Sequence, residues 1–302
     1  VTASDYEAFV SERFGSIVQA VQCFTLKDKS GYAFISIKPK SGLTLTTVQK
    51  EDIQNYLKDY NLAPITPSVM SPNYLFIRHK IYVDYATNKL DESEKWLENE
   101  IINSIDKYYE NEVELFNKSF HKSRMLSYID NTDISVLGSR AEIEMIREVQ
   151  NFYQTPMAGI SFGNPIKTSG VSTSEIEYNN DKDTSYNVRI VSTDNGNLLL
   201  GPFIKGHVNH ESYTDKDFIP EIIDNQTEYY KIGTIDYTQS LLHWSIGSIN
   251  LPSDKFNVAD IELNAKPIQD NIYTSNGSLI VFEHDLRPQY TTINLEPIYQ
   301  WN

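Results

Sequence analysis

Apolar and polar positions follow two rhythms along this chain, and the change between them divides it. The first rhythm is helical. Ser4-Asp5-Tyr6-Glu7 has the spacing of a capping box, in which the Ser hydroxyl takes an N3 amide and Glu reaches back, and Gly15 offers a left-handed stop; together they predict a helix over about residues 5 to 14. Val48, Ile53, Tyr56, Leu57 and Tyr60 recur at helical spacing within Thr47 to Tyr60, and the three prolines between Asn61 and Pro72 end that element. Beyond a cap at Asp91 or Glu94, the residues Trp96, Ile101, Ile105, Tyr108 or Tyr109, and Phe116 predict the longest helix, of about 25 residues. Glu98, Glu100, Asp106, Lys107 and Glu110 form its polar face. Lys122 to Asp130 adds a further helical turn or two.

Strands interrupt these helices. Val18 to Leu26 and Tyr32 to Lys38 flank Lys27-Asp28-Lys29-Ser30-Gly31, which predicts a hairpin. Tyr74 to Tyr85 reads as one long strand with Ile77, His79, Ile81, Val83 and Tyr85 on one face. Ala141, Ile143 and Met145 alternate with Arg140, Glu142 and Glu144, a strand pattern, although this composition suits a helix equally well.

Past about residue 150 the long amphipathic patterns stop, and Gly, Asn, Thr and Ser punctuate short apolar runs. Tyr186 to Thr193 and Leu198 to Ile204 flank Asn195-Gly196, and Ile272 to Thr274 and Leu279 to Phe282 flank Asn276-Gly277. Both pairs are the dipeptide that type I′ turns require, so two hairpins are expected. Gln154 to Gly159 is a candidate linker, and Ser169 to Thr184 is polar enough to predict a mobile loop. The expected fold is therefore α+β. Residues 1–150 form an α/β sandwich-like domain with a mixed sheet and the long helix, and residues 151–302 form a β-rich domain of hairpins.

Composition narrows the partners. With 26 Lys+Arg against 41 Asp+Glu, the net charge of −15 opposes phosphate contact, which excludes nucleic acid as the expected partner. A mean hydropathy of −0.42, no apolar run of membrane-spanning length and no signal-peptide pattern predict a soluble chain without a membrane partner. Cys23 is the single cysteine and lies in the apolar stretch Ile17 to Leu26, so it reads as a small buried hydrophobe in a chain that folds reduced. The chain opens at Val1, directly before the predicted cap, which predicts further sequence upstream.

Chemistry is sparse. His207-Val-Asn-His210-Glu211 is the best metal candidate, but Gly206, Val208 and Tyr213 do not suit the helix that such a spacing needs. Asn179, Asp181 and Asp183 begin like a calcium loop, yet Thr184 stands where Gly is required and Ile190 where the bidentate Glu belongs. Acidic pairs of the kind that hydrolyse glycosides occur in any chain this acidic and carry no information. No nucleophile elbow, Walker loop or dinucleotide fingerprint occurs. No catalytic, cofactor-binding or metal-ligating residue is assigned, and no cofactor is implied. Aromatic residues make up 12%, and the neighbours Tyr108-Tyr109, Tyr229-Tyr230 and Tyr299-Gln-Trp301 cannot all face one core, which predicts that some of them meet a partner.

The opening Thr2-Ala3-Ser4-Asp5-Tyr6-Glu7, followed by the helix, the Val18 to Phe24 strand, the Gly31 turn and the Ala33 to Pro39 strand, resembles the J-type baseplate proteins of contractile-tailed phages. The resemblance runs through the Tyr74 to Tyr85 strand and the helix after Asp91, covering roughly residues 2 to 149. Ser30-Gly31 stands where that family commonly has Pro-Gly, and Gly31 keeps the freedom the turn needs. The extra β-rich region and the Tyr- and Asn-rich style look like the large wedge subunits of T-even-type phages. The resemblance implies a non-enzymatic structural protein of the virion, assembled in the bacterial cytoplasm. It implies a homodimer within each wedge, ring contacts between wedges, contacts with other baseplate wedge proteins, and movement when the sheath contracts. Asp5, Tyr6 and Glu7 transfer as cap and packing residues only. Two other readings remain: a host-surface carbohydrate-binding module, suggested by the aromatic β-rich half, and a tail-associated hydrolase, suggested only by abundant carboxylates.

Overall fold

The computed structural model describes residues 2–60, 65–153, 157–179, 185–204, 227–246, 251 and 253–299. The chain is mostly β, with four α-helices among the described residues, none long and apolar enough to cross a membrane. It forms two compact units, and neither is one continuous segment. The first comprises Val1–Leu75, Glu92–Thr132 and Tyr273–Glu283; the second comprises Phe76–Asp91, Asp133–Ile272 and His284–Asn302. Strand Val136–Val149 thus already belongs to the unit that holds the β-rich sequence after residue 150.

In the first unit, helix α1 spans Ala3–Phe14. Its capping box is Thr2 with Asp5, not Ser4 with Glu7: Thr2 Oγ1 accepts from the Asp5 amide at 3.3 Å and Asp5 Oδ2 accepts from the Thr2 amide at 2.6 Å. Glu7 is thereby released from capping and accepts the Cys23 amide at 2.8 Å, tying the helix to the adjacent strand. Gly15 is right-handed, at φ −58°, and has a different reason to be glycine. A Cβ there would lie 2.5 Å from the Ser11 carbonyl oxygen.

Strands Val18–Phe24 and Tyr32–Pro39 form the expected antiparallel hairpin, and Thr66–Met70 joins Tyr32–Pro39 in parallel, so this small sheet is mixed. Ala33, Ile35 and Ile37 on one face pack with Tyr6 and Val10 of α1 and with Ile53 and Leu57 of α2 (Thr47–Lys58). Cys23 lies in the same core, where burial pushes its thiol up to about 11.

The long helix is shorter than its hydrophobic pattern predicts. Helix α3 runs over Glu94–Tyr108, capped by Ser93, whose hydroxyl accepts the Trp96 amide at 3.2 Å. A π-helical turn, Tyr109–Val113, follows and closes with the Glu114 amide on the Tyr109 carbonyl at 2.9 Å. Tyr108 and Tyr109 are both fully buried, so this pair is not among the aromatic neighbours left to meet a partner. Tyr108 packs against Tyr128 of α4 (Lys122–Asp130), Tyr109 stacks on Phe282 at 5.1 Å, and Phe120 contacts both rings. The core encloses the helix end on two sides, so neighbours that diverge on a helix are both covered.

Asn276-Gly277 does not close a hairpin between the segments beside it. Gly277, at φ +72°, donates its amide to Gln22 Oε1 at 2.6 Å, and its carbonyl accepts the Asn73 amide at 2.8 Å. The turn is shaped for insertion against the small sheet, where the Phe24 ring leaves no room for a side chain.

The second unit is one long sheet. From Asn73–Ala86 its path runs through Val136–Val149, Ile261–Pro267, Ile166–Thr173, Ser185–Ser192, Asn197–Ile204, Thr227–Asp236, Leu241–Trp244 and Met157–Ser161, while Thr291–Ile298 lies off this path and pairs with Asn73–Ala86. The pairing of Thr291–Ile298 is parallel and those along the path are antiparallel. Ile77, His79, Ile81, Val83 and Tyr85 are buried on one face of their strand, as its period of two predicts. The Asn195-Gly196 hairpin forms as expected, with Ser192 opposite Leu198 and Gly196 at φ +76°. Much of the expected Ser169 to Thr184 loop is strand instead, Ile166–Thr173 and Ile176–Asn179, because its polar residues line the outward positions of half-buried strands. Phe152, Tyr178, Phe203, Phe256 and Tyr230 link ring to ring, so much of the aromatic content of this half is core.

Candidate assembly surface

The polar face of the second unit shows what its charges do. Alternation places Phe76, Arg78, Lys80, Tyr82 and Asp84 opposite the buried face of their strand, and register sets Arg78 across from Glu144, Lys80 from Glu142 and Tyr82 from Arg140. Arg78 reaches Glu144 at 3.2 Å and Glu262 at 3.3 Å and lies over the Tyr290 ring. The Tyr290 hydroxyl donates to Glu262 at 2.8 Å; burial, then this carboxylate, raise its phenol above the ordinary range. Arg287 holds Glu148 at 2.6 Å and covers Phe76. Arg140 bonds both oxygens of Glu296 at 2.8 Å, approaches Asp84 at 3.6 Å and covers Tyr82. The bond from Arg140 lowers the Glu296 carboxyl below its usual range, and Glu296 in turn raises Arg140.

Glu144, Glu262, Glu148, Glu296 and Asp84 are each matched to an arginine that also sits on an aromatic ring. Such a lattice fixes neighbouring strands to one another.

The sequence-derived metal candidates fall almost entirely outside the described residues. His207, His210 and Glu211 lie outside the described residues, as do Asp181, Asp183 and Thr184. Asn179 ends a strand, paired across from Ser185. Among the described residues no group of three or more His, Cys, Asp or Glu could hold a metal ion.

What the surface does offer is exposed apolar side chains at element ends. In the second unit Ala86 donates to the Ser135 carbonyl at 2.8 Å and stands in register with Ile298, so Ile134, Leu137, Ile298 and Tyr299 collect at one end of the sheet. Ile134 is 77% and Tyr299 70% exposed. In the first unit Leu26, Tyr32 and Ile65 stand exposed at the turn end of the hairpin, beside the stacked Tyr32, Phe34 and Phe24 rings. Of the aromatic neighbours picked out from sequence, Tyr299 alone is largely exposed among the described residues; Tyr229 is half-buried, Tyr230 buried, and Trp301 lies outside the described residues. Ile134, Leu137 and Ile298 carried no signal, because a single apolar residue at a strand end looks like any core position in the sequence.

Comparison with known proteins places these surfaces in context. Three family models of the baseplate structural protein gp6 match the chain: its C-terminal domain I over residues 2–70, domain III over 73–148 and domain II over 155–257. The baseplate wedge protein gp6 of Enterobacteria phage T4 is 56% identical over 321 residues, an alignment that covers 99% of this chain and 49% of that protein. The chain therefore spans about half the length of the curated relative it matches. With three successive domain matches and this identity over nearly its whole length, the chain belongs to the gp6 family of baseplate structural proteins.

Proposed function

We propose that this chain is a non-enzymatic structural part of a phage tail baseplate wedge, acting in the virion by packing against copies of itself and against other wedge proteins. The observation that carries the reading is its 56% identity, over 99% of its length, to the T4 baseplate wedge protein. Exposed apolar strand and hairpin ends on each unit support it, since residues such as Ile134, Leu137 and Tyr299 are unfavourable in water and are stabilised by burial in an assembly. In this reading the contacts join wedges into a ring and change when the sheath contracts.

The test is assembly itself. Light scattering of the purified chain over a concentration series, followed by electron microscopy after mixing with the remaining wedge proteins, should show self-association and then incorporation into wedge or ring particles. A chain that stays monomeric and is excluded from those particles would overturn the proposal.

A further inference from the structure

We infer that the outer edge of strand Thr291–Ile298 is a pairing surface for a second copy of this chain, joined antiparallel across a two-fold axis at Asn294. The inference deepens the self-association proposed above and rests on it. Among the described residues this strand pairs with Asn73–Ala86 alone, and none of its residues is buried. The Thr87 amide donates to the Ile298 carbonyl at 3.3 Å, so Ile298 turns its backbone inward. Strand alternation then turns Asn294 and Glu296 inward as well, and leaves Thr291, Ile293, Leu295 and Pro297 with backbone groups facing out. Pro297 sits where a missing amide harms no inner bond, the position in which an edge strand tolerates proline.

This edge is self-complementary. With the axis at Asn294, Ile293 faces Leu295 of the second copy, and each such pair exchanges two backbone hydrogen bonds. Glu296 faces Thr292 of the second copy, so no like charges meet. Pro297 faces Thr291 and ends the ladder. The stretch Thr291 to Leu295 has no charge and no proline of the kind that blocks edge pairing, and Glu296 is already neutralised by Arg140. A chain extending past the ladder brings Ile298 and Tyr299, 41% and 70% exposed, against the second copy.

The axis position gives a sharp test. The Asn294 side-chain amide donates to the Ile81 carbonyl at 3.1 Å, so both charged variants also alter a contact within the chain, and circular dichroism of the dilute chain checks that each is folded. Asn294→Asp and Asn294→Lys each place like charges face to face, and each should weaken the dimer about fivefold in sedimentation equilibrium. An equal mixture of the two should dimerise more tightly than either alone. In a separate variant, Asn294→Cys should form a disulfide-linked dimer on mild oxidation and Thr292→Cys should not, because facing non-hydrogen-bonded residues lie about 4.5 Å apart. If the unsubstituted chain dimerises and both charged variants match it, the edge is not the interface although self-association stands. If the unsubstituted chain remains monomeric at the highest concentration, the inference and the proposed self-association fall together. Pairing of the edge with another wedge protein, and not with a second copy, would appear as cross-links from the Asn294→Cys variant to that protein only and would overturn the inference.

Discussion

Lys38 Nζ lies 2.5 Å from Glu114 Oε2, with both side chains more than nine-tenths buried. The other oxygen of Glu114 accepts the Phe282 amide at 2.7 Å, so one carboxylate ties the small sheet, the turn after α3 and the Phe282 segment together. Neither charge can be solvated in place, and each depends on the other.

Removing one partner strands the other. Lys38→Met is expected to destabilise the chain by about 3–5 kcal/mol, the usual effect of an uncompensated buried charge. Adding Glu114→Gln removes that charge and keeps an oxygen for the Phe282 amide, so the double variant should recover much of the loss. Urea denaturation of the single and double variants gives the coupling directly; additive losses would show that the pair does not act as a unit.

Gly277 holds a left-handed backbone, and a Cβ there would lie 2.7 Å from Phe24 Cζ. Gly277→Ala should therefore lower stability by about 2 kcal/mol, combining roughly 1–2 kcal/mol of backbone strain with displacement of a packed ring. Adding Phe24→Leu should return part of it by making room. The measurement is the urea midpoint of the single variant and of the pair.

Tyr109 is fully buried at the start of the π turn, stacked on Phe282 and tilted against Phe120. Tyr109→Ala should destabilise by about 3–5 kcal/mol, the range for losing a large buried aromatic. Had this ring served a partner, the same substitution would weaken assembly and leave the melting temperature of the isolated chain unchanged.

Much of the fold was legible from periodicity. The Tyr74 to Tyr85 face, the first hairpin, the Lys122 to Asp130 helix and the Asn195-Gly196 turn all follow from local pattern. Misreadings arose where tertiary contact decided between local options. Thr2 and Ser4 both offer a cap hydroxyl, and Glu7 was drawn away by the Cys23 amide. Asn276-Gly277 has the chemistry of a hairpin turn, but Gln22 and Asn73 bind its backbone. The candidate surface was barely legible. An exposed strand edge is defined by which neighbour is missing, and that is a property of topology.

His79 carries the last prediction. It sits on the buried face of its strand, 1% exposed between Ile77 and Ile81, and burial lowers its imidazole from 6.5 to about 3. The unfolded chain therefore takes up a proton near pH 6.5 that the folded chain refuses until about pH 3. Stability is unaffected by this group above pH 6.5 and falls as pH drops below it, by about 1.4 kcal/mol per unit through the window between the two values. From pH 6.5 to pH 5 the chain should lose about 2 kcal/mol from His79. In His79→Gln that slope should be flatter by the same amount, whatever the variant's absolute stability. Urea midpoints across this range read the slope, and a variant as steep as the parent would show that the imidazole is protonated in the folded state.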